Sequence, residues 1–182
     1  MRTSDEVAGE LIRRLGAKFW GEMQLHKLMY FAQAWHVAWN DEALFDDDIV
    51  AYNNGPVVKN LWAKRKHETK VLVPLSAPLS DKEMRTVHFV LSRYGAQTGA
   101  KLRDVTHRAG TAWTVSVERE GGPLGQVLYF EEMLRELEAD PARDQSWFWA
   151  SEWLSREREV DAEVSAGRVS EPMDADEFLS NL

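Results

Sequence analysis

The stretch QLHKLMYFAQAWHVAWN, Gln24 to Asn40, is the most hydrophobic part of this 182-residue chain, and its reading decides the fold. Leu25, Leu28, Met29, Ala32, Trp35, His36 and Trp39 recur at helical spacing and trace one face. Tyr30, Phe31, Ala34 and Val37 cover much of the remainder. A helix that is apolar nearly all round belongs in the middle of a core, with other elements on several sides. Its polar interruptions, Lys27, Gln33 and His36, must then find partners or reach an edge, because an unpaired buried polar group costs about 1–3 kcal/mol.

The flanking sequence supplies the surrounding elements. Thr3-Ser4-Asp5-Glu6 has capping-box spacing, followed by Val7, Leu11, Ile12 and Leu15 and closed by Gly16, which predicts a helix over about 4–15. After Asp46-Asp47-Asp48, Ile49 to Tyr52 reads as a short strand. Asn53-Asn54-Gly55-Pro56 reads as a turn, with Pro56 placed to open the next helix, which carries Val57, Val58, Leu61 and Trp62. Val71 to Val73 reads as the second strand, so the expected ribbon flanks one helix. Ser80-Asp81-Lys82-Glu83 is another capping box, with the helix running to Tyr94-Gly95, and Thr98 caps a shorter one holding Leu102 and Val105. Val127 to Leu137 predicts a further helix, and Pro141 opens a last one holding Trp147, Phe148, Trp149, Trp153 and Leu154. The expected fold is mainly α, a compact helical domain with a small two-stranded β element and a helical, acidic C-terminal extension.

Composition is that of a globular protein, 44% apolar and 29% charged. No cysteine is present, which removes disulfides, thiolate metal sites and cysteine nucleophiles and suits a reducing compartment. No stretch approaches the roughly 20 apolar residues of a spanning helix, and the charged N-terminus lacks a signal-peptide core, so a cytoplasmic protein with no membrane contact is expected. The net charge of −8 is uneven: residues 131–182 carry 15 acidic and 5 basic residues, and residues 1–130 carry a net +2. Such asymmetry suggests either an interaction tail or a solvated helix with a frayed end.

Catalytic chemistry is not written in the motifs. His26, His36, His67, His88 and His107 show no i, i+4 pair for a metal, and no phosphate loop or nucleophile elbow is present. Neither a metal nor a cofactor is expected, and the chain does not read as an enzyme. Asp46 to Asp48 lacks calcium-loop spacing and reads as a solvated loop. Asp104 and His107, at i, i+3, form an acid/base pair or merely a local hydrogen bond. Lys59, Lys64, Arg65, Lys66, His67 and Lys70 surround Trp62, a combination that suits a nucleic-acid backbone, an acidic protein partner or the chain's own acidic tail. The Trp147/Trp149/Trp153 cluster is either core or a partner anchor.

Residues 26–62 also carry an ordered set of fragments: Lys27-Leu28, Tyr30-Phe31 and Gln33; then Leu44-Phe45; then Gly55-Pro56-Val57. This pattern resembles the Panacea antitoxin domain, a group that includes phage-associated proteins and the SocA-type proteolytic adaptor antitoxin. The likeness extends to Val7-Ala8 with Leu11-Ile12, to Ser80 through Tyr94-Gly95, Leu102, Thr106-His107 and Trp113, and to Val127–Phe130, over about residues 4–137. Departures cluster near the turn: Ala43 where Pro is frequent, Tyr52 for Trp, Asn54 for Tyr or His, and Lys59 and Trp62 where Pro and Tyr often stand.

The resemblance implies a helical domain over 1–137. The acidic, Trp-containing extension over 138–182 has no counterpart in the family pattern after Asp140, and because apolar residues thin out beyond Ser155 its last ~15 residues are expected to be weakly ordered. The resemblance also implies a non-catalytic antitoxin that binds a cognate toxin. The alternatives are an adaptor delivering the toxin to a Clp-type protease, a DNA-binding autoregulator, and a phage-borne protein aimed at a host target. Nucleic acid is not expected as the main partner. Lys27, Gln33, His36, Asn54, Lys59, Trp62 and His107 are the expected partner-binding residues. Leu28, Tyr30, Phe31, Leu44, Phe45, Gly55, Pro56, Val57, Tyr94 and Trp113 are expected to be structural.

Overall fold

The computed structural model describes residues 1–67 and 72–145. Within them the chain forms α1 (Ser4–Leu15), α2 (Glu22–Asn40), β1 (Ile49–Tyr52), β2 (Gly55–Val58), α3 (Lys59–His67), α4 (Asp81–Tyr94), α5 (Gly99–Thr106), α6 (Ala112–Glu120) and α7 (Phe130–Leu137). A single 3₁₀ turn follows α1 at Gly16–Lys18, and another occupies Pro141–Gln145. The mainly helical fold with a small two-stranded sheet is the one expected.

α2 is the axis. Every residue from Gln24 to Val37 is buried, and the helix packs against α1, α4, α5, α7 and β2. Its aromatic side chains dock into the surrounding helices: Phe31 stacks on Tyr94 at 4.1 Å between centroids, and Trp35 meets Phe89 edge-on at 4.8 Å. Each fully buried large apolar side chain contributes about 1.5–3 kcal/mol, so this one helix supplies much of the driving force. The capping boxes at Thr3/Glu6 and Ser80/Glu83 and the Thr98 cap form as the sequence predicts. No described helix is long and apolar enough to cross a membrane.

Three expectations are corrected. The ribbon does not flank a helix: β1 and β2 are a tight antiparallel hairpin, with Tyr52 opposite Gly55 and only Asn53-Asn54 between them. Pro56 lies in β2 rather than at a helix start, and α3 begins at Lys59. Leu72 and Val73 are not in a strand, and Val71 lies outside the described residues. The physical reason is local: Gly55 takes φ +96°, which closes a two-residue loop, and Pro56 is tolerated because β2 is an edge strand.

Second, Val127 and Leu128 are extended, not helical. Val127 bridges to Val50, the Ala51 N–H donates to Gln126 O at 2.9 Å, and the Leu128 N–H donates to Ile49 O at 2.8 Å. β1 is thus paired on both sides, and α7 starts only at Phe130. Third, Pro141 opens a 3₁₀ turn rather than an α-helix through Gln145. The Trp147/Trp149/Trp153 cluster and the rest of the acidic extension lie outside the described residues. α6, capped by Thr111, has too short an apolar stripe to be read from sequence.

The acidic run before β1 has a structural task. Asp47 is buried and accepts the Asn60 and Leu61 N–H groups at 3.2 and 3.1 Å, with Ser4 Oγ donating at 3.1 Å. It satisfies the open N-terminus of α3, where a carboxylate also meets the positive end of the helix dipole. Its neighbours Asp46 and Asp48 are exposed.

Candidate functional site: the hairpin and its supports

The hairpin is held by side chains that reach its main-chain oxygens. Lys27, on the second turn of α2, donates from Nζ to Pro56 O at 2.9 Å. Trp113, near the start of α6, donates from Nε1 to Tyr52 O at 2.9 Å. His107, just past α5, sets Nε2 3.4 Å from Asn53 O, Nδ1 2.7 Å from Arg103 O, and its ring 3.7 Å from that of Trp113. Its ring nitrogens therefore serve the backbone, not Asp104. Three helices converge on one turn.

Around this scaffold lies a half-buried aromatic surface. Tyr52, Trp62 and Trp113 are each partly exposed, Tyr52 and Trp62 lie 5.7 Å apart, and Lys66 Nζ sits 4.7 Å over the Trp62 ring. Exposed Asn53 and Asn54 form the tip. Leu124, 78% exposed, precedes Gly125, which packs beside the Tyr52 ring. Partly wet aromatics beside cations and amides are the composition of protein-binding hot spots.

The structure separates the expected binding residues into two groups. Asn54, Trp62 and His107 reach the hairpin surface at its turn, and Lys59 is exposed at the hairpin's opposite end. Lys27, Gln33 and His36 are buried, at most 2% exposed. Gln33 holds the lead-in to β1: its Oε1 accepts the Leu44 and Phe45 N–H groups at 3.0 and 3.2 Å, and its Nε2 donates to Phe45 O at 3.0 Å. His36 sets Nδ1 2.9 Å from Thr86 Oγ1, and burial lowers its pKa to about 4, so it is neutral at pH 7. Of the expected structural residues, all but Trp113 are buried. Sequence reading gave no role to His26, which accepts the Val58 N–H at 3.3 Å and keeps a buried Nε2 with no hydrogen-bond partner. Its position on the apolar helix beside Lys27 was the only available signal.

Lys27 is an unusual component. Among the described residues no carboxylate pairs with it, and burial, reinforced by Arg103, lowers its pKa from 10.5 to about 7. The unfolded chain binds more protons between those values. Below pH 7 both states are charged and the cost of burying the ammonium is fully present. As the pH rises through 7 the folded amine sheds its proton, and stability increases until the unfolded lysine titrates near 10.5. Between pH 7 and 9 this group should add about 2 kcal/mol. Urea unfolding at both pH values should show a difference of that size between the wild type and Lys27→Met; equal pH dependence in the two would refute it.

The basic stretch of α3 is largely committed. Lys64 pairs with Asp5 at 2.5 Å, Arg65 pairs with Glu22 at 2.8 Å, and Lys66 covers Trp62. Lys70 lies outside the described residues. Among the described residues no group of His, Asp and Glu could hold a metal ion.

The family model described as "Antitoxin SocA-like, Panacea domain" matches residues 25–114. That span runs from α2 into α6 and contains the hairpin together with Lys27, His107 and Trp113. No curated protein and no solved structure matches the chain.

Proposed function

From the SocA-like Panacea domain that residues 25–114 carry, we propose that this chain is the antitoxin of a toxin–antitoxin pair and neutralises its cognate toxin by direct binding. The hairpin turn with Tyr52, Trp62 and Trp113 is the contact surface. The observation that carries this reading is the three-helix support under a turn whose side chains, Asn53 and Asn54, are exposed and make no hydrogen bond to the other described residues. A rigid backbone presenting exposed side chains meets a partner without an ordering cost.

Direct binding is favoured over operator binding because Lys64 and Arg65 already spend their charge on Asp5 and Glu22. Delivery of the toxin to a Clp-type protease is the finer alternative, and toxin half-life with and without this chain separates it from stoichiometric capture. The product of the adjacent gene, co-expressed with this chain, should lose its toxicity and co-purify with it. Unrelieved toxicity would sink the antitoxin reading. Trp62→Ala should weaken the complex by about 2 kcal/mol, roughly thirtyfold in Kd by titration calorimetry. An unchanged Kd would place the contact elsewhere.

A further inference from the structure

At the Ile49 end of the hairpin, away from its turn, two recesses of about 460 and 240 Å³ lie side by side between the α2–β1 connection and α7, with Ala43 and Phe130 lining both, as a two-part groove. Their floor is made of buried apolar side chains, Phe45, Ile49 and Met133 in the larger and Val37 in the smaller, and carboxylates stand among the lining residues of both. Large apolar side chains stand open along it, with Phe130 41%, Tyr129 55% and Met1 83% exposed. A contiguous apolar surface of this kind marks an interaction site.

The charged side chains of the rim have a single sign. Asp41, Glu42, Asp46, Asp48 and Glu131 are all exposed, and no Lys or Arg lines either recess. The nearby positive groups are few or occupied. Lys82 pairs with Glu42 at 3.0 Å, the N-terminal amine helps to lower the Glu42 pKa, and Arg119, which lies over the Tyr129 ring, pairs with Glu120 and Glu132.

This charge decides the occupant. Residues 146–182 of the chain hold nine acidic and three basic residues, a balance of the same sign as the rim that does not complement it. A second copy presents the same acidic groove, so two-fold groove-to-groove pairing sets like charges together. A strand cannot be added here, because β1 is already paired with β2 and with Gln126–Leu128. What remains is a segment that makes its own backbone hydrogen bonds and carries both apolar and positive side chains. We propose that this groove docks a basic amphipathic helix of a protein partner, its apolar stripe against Phe130 and Tyr129 and its Lys or Arg residues against the acidic rim. The identity of that partner as the toxin rests on the antitoxin reading; the groove's preference for such a helix does not.

The test uses the full chain and a fluorescent synthetic amphipathic helix built only of Leu and Lys, with a Leu/Glu counterpart, followed by fluorescence anisotropy. The Leu/Lys peptide should bind and the Leu/Glu peptide should not. Asp46→Lys/Asp48→Lys/Glu131→Lys should weaken binding about tenfold, as should Phe130→Ala, while Asp104→Lys/Glu118→Lys/Glu138→Lys, with the same change in net charge, should leave it within about twofold. Equal loss in both triple variants would reduce the effect to overall charge and overturn the proposal, as would binding of both peptides alike. With the toxin as ligand, loss on Trp62→Ala but not on the groove variants would leave the antitoxin reading standing and overturn the groove as the toxin's dock. Peptide binding at the groove without toxin neutralisation would do the reverse.

Discussion

Gln33→Leu is expected to lower the unfolding free energy by about 3–6 kcal/mol, measured by equilibrium urea denaturation. One amide satisfies the Leu44 N–H, the Phe45 N–H and the Phe45 carbonyl, all buried. Leucine matches its volume and offers none of these bonds, so each of three main-chain groups loses its partner at about 1–3 kcal/mol. The total stability of a domain is only about 5–15 kcal/mol, so the variant should express poorly and unfold early. Gln33→Glu is the informative companion: it keeps an acceptor for both N–H groups, but replaces the bond donated to Phe45 O by a buried carboxylate oxygen facing that carbonyl. A loss from Gln33→Leu of under 1 kcal/mol would mean that residues 44–45 are not anchored by this side chain.

Much of this was legible before the structure. The period of residues 24–40 places α2 at the centre, and the requirement that its polar residues find partners is met by Gln33 at the 44–45 backbone, Lys27 at Pro56 and His36 at Thr86. The capping boxes read correctly because their signal lies within four residues. The hairpin did not. Gly55-Pro56 is equally good chemistry for a turn before a helix, and the choice is made by long-range contacts: Lys27 accepting the task of holding Pro56 O, and Gln126–Leu128 pairing with β1. The same extended pairing pulled Val127 out of the helix its apolar pattern suggests. The candidate surface was half visible. Asn54, Trp62 and His107 were identified singly, but the sequence separation of Asn53 from His107 hides the contact that joins them.

Gly55→Ala is expected to cost about 2–4 kcal/mol and to impair toxin binding beyond that loss of stability. Gly55 has φ +96°, where an L side chain is strained, and an added Cβ would lie 2.8 Å from Thr106 Oγ1 and 2.9 Å from Lys27 Cε. Neither neighbour can retreat easily, since Thr106 and Lys27 are buried. Relief must come from the hairpin itself, which would lift from its supports. Thermal unfolding reads the first effect. Titration calorimetry at a temperature where the variant is fully folded reads the second. A variant with wild-type stability would show that the turn has room to shift, and one with lowered stability but an unchanged Kd would separate the turn from recognition.

The supports under the hairpin grip carbonyl oxygens, and every amino acid has one. Lys27 and Trp113 hold Pro56 and Tyr52 by atoms that substitution does not alter. The tip residues Asn53 and Asn54 can therefore be exchanged without dismantling the mount that presents them. The arrangement works like an interchangeable bit in a fixed chuck: a library randomised at these two exposed positions should yield mostly folded proteins, each presenting a different tip on the same mount.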